Sequence, residues 1–167
     1  MKGYIIGTAE QAYLIRASGP LAGTKSIALA SLKVGGDFDH VLILAGYGGV
    51  NAPVNGHAQI GAISIGGDWI ASSVTAGLRS NAATFIFGDG DDTFINAGPT
   101  GVVASIASIT IKGRALGTLE TGDRFGIVAE HIGSVKIGGV QLASTTGPDT
   151  IAIGPTPDFF VREVVRV

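Results

Sequence analysis

The sequence contains no cysteine, which excludes a disulfide scaffold, a zinc–thiolate site and a cysteine nucleophile. It is also short of charge. Acidic side chains number 13 and basic ones 11, together 14% of 167 residues, so no excess of positive charge exists to meet nucleic acid or an anionic membrane. No apolar run approaches the roughly 20 residues needed to span a bilayer, and Met1-Lys2-Gly3 does not open a signal peptide. Helix-length amphipathic stretches are almost missing. The one candidate is Thr8 to Ala17, where Thr8 fits an N-cap with Gln11 at the capping-box position. Its Tyr13-Leu14-Ile15 serves a strand equally well, so the segment stays open between the two.

What is present is glycine and small aliphatics: 27 glycines beside 46% hydrophobic residues. The aliphatics come in runs of three to five, punctuated by Gly, Asp, Asn or Pro. Short β-branched runs with such punctuation form short strands and tight turns rather than helices. The expected class is all-β.

Four segments share one pattern: Leu29-Ala-Ser-Leu32-Lys-Val34-Gly-Gly36, Ile60-Gly-Ala-Ile63-Ser-Ile65-Gly-Gly67, Ile106-Ala-Ser-Ile109-Thr-Ile111-Lys-Gly113 and Ile132-Gly-Ser-Val135-Lys-Ile137-Gly-Gly139. Phe85-Ile86-Phe87-Gly88 is a weaker copy, and Val161 within the closing strand Phe159 to Val167 marks a sixth. With Leu32, Ile63, Phe85, Ile109, Val135 and Val161 as anchors, the spacings are 31, 22, 24, 26 and 26. A second series lies between them: His40 to Gly46, Ser73 to Gly77, Thr93 to Gly98, Arg124 to Ala129 and Thr150 to Gly154. Such a period with two short strands per unit predicts a parallel β-helix or β-solenoid of about six rungs, with like residues stacked at about 4.8 Å. An immunoglobulin-like sandwich is the competing architecture, but its strands have no reason to share one motif. Residues 1–25 form an N-terminal cap or first rung, residues 26–167 carry the repeats, and the glycine-rich stretch 46–56 is an inserted loop.

The stretches Ile60 to Gly77 and Gly122 to Gly139, with the ending Asp158-Phe-Phe-Val-Arg-Glu-Val164, resemble a repeat region of very large bacterial secreted or cell-surface proteins. The resemblance covers roughly residues 26–167. It implies a β-helical stalk or surface module, often at the C-terminal end of a longer polypeptide, with an extracellular or cell-surface location and no catalytic residues.

Phe87-Gly88-Asp89-Gly90-Asp91-Asp92-Thr93-Phe94 fits much of the calcium nonapeptide, with Phe87 replacing its first glycine. Asp89, Asp91 and Asp92 supply the hard oxygen ligands Ca²⁺ prefers, although such sites draw on two successive copies and only one is present. Asp37 and Asp68 follow the Gly-Gly turn in successive units, and Asp89 falls near the same place. Three stacked acids would repel unless a cation or a basic neighbour joins them. Trp69, with Tyr47, is a candidate sugar-stacking pair; the alternative is a tryptophan covering the flank of the fold. His40, His57 and His131 lack metal-ligand spacing. No nucleophile elbow or phosphate loop is present.

These features favour a non-enzymatic structural or adhesive module that self-associates through its ends, with the uncapped strand Phe159–Val167 as the pairing edge. A calcium-dependent secreted repeat module and a carbohydrate-active β-helix enzyme are the alternatives. The enzyme requires the aspartates to converge with Lys or Arg in one groove.

Overall fold

A computed structural model describes residues 3–49, 51–80, 85–99, 101–143 and 148–166. Val50, in the predicted inserted loop, and Val167, at the end of the predicted pairing strand, lie outside the described residues. The all-β expectation holds: strands occur throughout and no helix occurs among the described residues.

Four successive segments build the framework. The first contributes β1 (Ile5–Ile6), β2 (Tyr13–Ala17) and β3 (Ile27–Val34). The second contributes β4 (Phe38–Asp39), β5 (Val41–Ala45), a hairpin of β6 (Tyr47–Gly49) and β7 (Ala52–Pro53), and β8 (Gln59–Ile65). The third gives β9 (Trp69–Ile70), β10 (Ser73–Ala76), a hairpin of β11 (Leu78–Arg79) and β12 (Thr93–Phe94), and β13 (Ser105–Ile111). The fourth gives β14 (Ala115–Leu116), β15 (Phe125–Ala129), β16 (His131–Ile132) and β17 (Val135–Ile137), and the chain continues through β18 (Val140–Gln141), β19 (Thr150–Ala152) and β20 (Phe159–Glu163). Thr8 to Ala17 therefore ends as a strand. Its first residues close a turn, with Thr8 and Gln11 exchanging backbone hydrogen bonds of 2.9 and 3.1 Å.

Strands from successive segments pair in parallel to make three sheets. The first runs β1-β4-β9-β14, the second β2-β5-β10-β15-β20, and the third β3-β8-β13-β17, with β16 also on β13. The shared motif sits in the third sheet in matched register: Leu32 pairs Ile63, Ile63 pairs Ile109, and Ile109 pairs Val135. Like on like is what in-register parallel pairing demands, since each inward methyl group must meet one of similar shape above and below. Ile60, Ile63, Ile65, Ile106, Ile109 and Ile111 are all essentially inaccessible to solvent.

The small residues of the motif have a steric cause. A Cβ on Gly61 would lie 1.9 Å from the carbonyl oxygen of Ala30, and one on Gly133 would lie 2.4 Å from that of Ala107. Neighbouring backbones approach too closely there for any side chain on both.

Two expected anchors are wrong. Phe85 does not join the ladder; the motif passes from Ile63 to Ile109 directly, so the parallel stacks are four or five strands deep rather than six. Val161 stacks in the second sheet, on Ile127. In the second series, Ile43, Val74 and Ile127 fall in line, but Thr93 and Thr150 belong to antiparallel strands against β11 and β20. The long third interval exists because residues 78–80, 85–99 and 101–104 include the segments that cover the outer face of the second sheet. Leu44 and Val128 from that face pack with Tyr47, Leu78, Phe87 and Ile95 in a separate apolar cluster. Strands β5 and β10 are consequently buried on both faces, and read as continuous apolar or small runs for that reason.

The 46–56 stretch is only partly a projecting loop. Its hairpin turns outward, but Asn55 and Gly56 are buried. Asn55 Nδ2 donates to Ser18 O (2.8 Å) and Ser26 Oγ (2.6 Å), while its Oδ1 accepts from His57 N (3.0 Å).

Candidate functional site

The predicted acidic edge divides into two unconnected arrangements. Asp37 and Asp68 do stack, one residue after each Gly-Gly turn, but their carboxylates are engaged by backbone. Asp37 Oδ1 accepts from Asp68 N (2.9 Å), and Asp68 Oδ1 accepts from Arg114 N (2.8 Å). Each aspartate thus binds the amide of the next segment. The basic neighbour that stacked acids require is Arg114, whose Nη2 lies 3.1 Å from Asp68 Oδ2. The Arg114 amide and then its guanidinium hold the Asp68 carboxyl below its ordinary range.

Asp89 is not part of that stack. It gathers with Asp91 and Asp92, their carboxylate oxygens within 4.8 Å of one another. The turn depends on Gly88 and Gly90, with φ of 93° and 110°, a region in which glycine carries no steric penalty. Gly88 N donates to Asp92 Oδ2 (2.9 Å), and Asp91 N donates to Asp89 Oδ1 (3.2 Å). The Asp92 side chain is fully buried, and Arg162 Nη1 lies 3.7 Å from its Oδ2. Burial, ahead of every other influence, pushes the Asp92 carboxyl up to about 6 from 3.8, with Asp89 and Asp91 adding to the rise and Gly88 and Arg162 opposing it.

The fit to calcium is partial. Carboxylate oxygens converge, but Ca²⁺ takes six to eight oxygens, and Arg162 already places a positive charge on the most buried of the three acids. Strand β12, which ends the motif, pairs antiparallel with β11, and among the described residues no second copy of the loop is stacked on it in parallel. Sequence reasoning missed Arg162. The available signal was a cation on an apolar closing strand, a position where an arginine is costly without a partner.

Asp92 generates a pH dependence. Its folded pKa is raised, so the folded state holds more protons than the unfolded state between about pH 4 and 6. Stability is therefore expected to fall as pH rises through that window, by on the order of 2 kcal/mol. Melting temperatures from pH 4 to 7 should show this decline in the natural chain and a flatter profile in Asp92→Asn, with calcium or chelator moving neither. Asp68 titrates in the opposite sense and at lower pH, so the difference between the two chains isolates Asp92. Parallel profiles would remove this account of the loop, and a calcium-raised melt would restore the metal.

Trp69 and Tyr47 are not a sugar platform. Trp69 is fully buried, its ring centroid 4.6 Å from that of Phe38 and its Nε1 donating to Ser72 O (2.8 Å). Tyr47 is buried under the outer cluster and donates to Leu78 O (3.2 Å); burial raises its hydroxyl to about 12. Of the histidines, His40 Nδ1 meets Asp39 Oδ1 at 2.6 Å, His57 Nδ1 contacts Val102 O, and His131 Nδ1 lies 3.3 Å from Glu163 Oε1. Ser72 and Ser73 bond backbone groups.

The strand expected to pair with other molecules is also occupied. β20 is flanked by β15 on one side and by antiparallel β19 on the other, and β17 is covered in the same way by β18. Leu142, Ile151 and Ile153 pack into this end of the main core. At the opposite end β1, β2 and β3 each pair on one side only among the described residues. Ile5, Ile15, Leu29 and Leu32 are just partly buried there, while Ile6, Tyr13 and Ile27 are exposed.

No protein-family model, curated protein or solved structure matches the chain.

Proposed function

We propose that the three parallel sheets are the faces of one β-solenoid, and that the chain is a non-enzymatic structural or adhesive module of a bacterial secreted or surface protein. The observation that carries this reading is the aliphatic ladder Leu32–Ile63–Ile109–Val135, in register although the intervals along the chain differ. Units that cannot bury an apolar face alone acquire a core by stacking. The extracellular or cell-surface location rests on the resemblance of residues 60–77 and 122–139 to large bacterial surface proteins.

The use of the polar residues supports a structural role. Asp37, Asp68, Asn55 and Ser72 spend their hydrogen-bonding capacity on backbone. The aspartates a carbohydrate-active enzyme would bring into one groove pair instead with two different arginines, Arg114 and Arg162.

Self-association is assigned to the open β1–β3 end. A capped end opposite an open one cannot propagate head to tail, whereas two open ends related by a two-fold axis close on each other. Sedimentation at increasing concentration is expected to show monomer and dimer without higher species. Ile27→Lys, at an exposed edge position, is expected to return the chain to monomer with an unchanged melting temperature. A strict monomer at high concentration, or a ladder of larger polymers, would end the assembly reading.

A further inference from the structure

We propose that the cleft between hairpin β11–β12 and residues 164–166 is a binding site for an oxyanion, a carboxylate or phosphate, carried on a molecule with an apolar flank. The cleft has a volume of about 650 Å³ and combines Arg79, Thr93 and Asn96 with Phe94, Val165 and Arg166.

Its charged groups are unequal. Arg166 is fixed in place: Nη2 donates to Gly56 O (2.6 Å), lies 3.4 Å from Glu130 Oε2, and the guanidinium sits 3.9 Å over the Phe94 ring. So held, its Nε is buried without an acceptor among the described residues. A buried charged N–H lacking an acceptor is costly, and the complementary partner is an oxyanion. Across the cleft, no carboxylate of the described residues lies within ion-pair distance of Arg79. Thr93 and Asn96 add a hydroxyl and an amide donor.

The acid that borders the cleft, Asp92, has its side chain shielded from solvent; its Oδ2 meets Gly88 N and Arg162, while its Oδ1 is buried without a partner among the described residues. Donors therefore outnumber accessible acceptors, with the positive charge of Arg79 at the mouth and no carboxylate of the described residues beside it. Phe94 and the exposed Val165 give the same cleft an apolar side, which suits a carboxylate on a ring or hydrocarbon better than a bare ion. This assignment is independent of the solenoid and assembly readings, since it uses only groups around one hairpin.

The test follows the arginine Nε–Hε signals in ¹H–¹⁵N spectra of the full chain, titrated with sodium benzoate and separately with inorganic phosphate. Saturable shifts of Arg79 and Arg166 are expected with benzoate, and weaker ones with phosphate. Arg79→Gln, which leaves every hydrogen bond described above intact, should weaken benzoate binding about tenfold, the worth of one charge-assisted contact. Val165→Ser should weaken benzoate and leave phosphate unchanged. Equal binding of both probes, lost in Arg79→Gln, supports the oxyanion site and assigns its recognition to charge alone. Shifts that do not saturate, that appear equally on Arg16 and Arg114, or that persist undiminished in Arg79→Gln overturn the proposal.

Discussion

Trp69→Ala is expected to lower the unfolding free energy by about 4 kcal/mol, the loss typical of a large aromatic side chain removed from a core that cannot close over the gap. The gap here has rigid walls. Trp69 pairs in parallel register with Phe38 on one side and Ala115 on the other. Its ring stacks on Phe38 with centroids 4.6 Å apart and approaches Phe159 at 6.5 Å. The large ring above the small Ala115 fills a volume that neighbouring backbones, fixed by their own ladders, cannot collapse into. Substitution also strands the Ser72 carbonyl that accepts from the indole. Trp69→Phe should lose that hydrogen bond and part of the volume, and cost about half as much. Denaturant unfolding followed by far-ultraviolet circular dichroism measures both, because the sole tryptophan is no longer available as a reporter. A loss below about 1 kcal/mol for the alanine variant would mean that the site is solvated, and would return Trp69 to the surface role suggested by its sequence context.

Asn55→Ala is expected to cost about 3 kcal/mol, more than a single exposed hydrogen bond, because it removes a fully buried hub. The amide nitrogen donates to Ser18 O, Ser26 Oγ and, more weakly, Pro20 O at 3.3 Å, and the oxygen receives His57 N. These contacts tie the connection between β2 and β3 to the end of the 46–56 stretch. Space around it is closed as well: a Cβ on Gly98 would lie 2.3 Å from Asn55 Oδ1. Asn55→Asp should be no rescue, since an ionised carboxylate has no donors and would face the carbonyl oxygens of Ser18 and Pro20. Amide exchange supplies the spatial readout. Protection should fall first at residues 18–26 and 55–57 in both variants, whereas the strands of the third sheet retain theirs. Uniform loss across the chain would show that Asn55 acts on global stability and not on this junction.

The sheet register was legible because it depends on repetition. Leu32, Ile63, Ile109 and Val135 each sit in the same aliphatic–polar–aliphatic–glycine setting, and parallel pairing without offset is the arrangement that lets equal side chains meet. Asp37 and Asp68 were legible for the same reason, as a residue type recurring after the same turn. Phe85 and Val161 misled because a short apolar run looks alike whether it stacks in a ladder, covers the outside of a sheet or belongs to a different face. The period alone does not separate one interval containing an insertion from two shorter ones.

The acidic loop was visible as composition, yet its electrostatics were not. Asp92 is made unusual by the roof that Leu78, Phe87 and Ile95 form over the second sheet, and by Arg162, which arrives from a strand some 70 positions later. Likewise, the cleft at Arg79 and Arg166 joins residues far apart in the chain, neither of which belongs to a repeat.

Repetition and composition by themselves determined that this protein is built of short strands, which aliphatic residues of the third sheet stack on one another, and where the turns fall. Those features follow from local alternation and from the need of identical units to bury identical faces. Only the tertiary structure decided that Trp69 and Tyr47 face inward, that one end is sealed by β18 and β19 while the other is left open, and that Arg162 comes to lie beside Asp92. Each of these depends on which distant segment fills the space beside a residue, and that is set by packing across the whole chain.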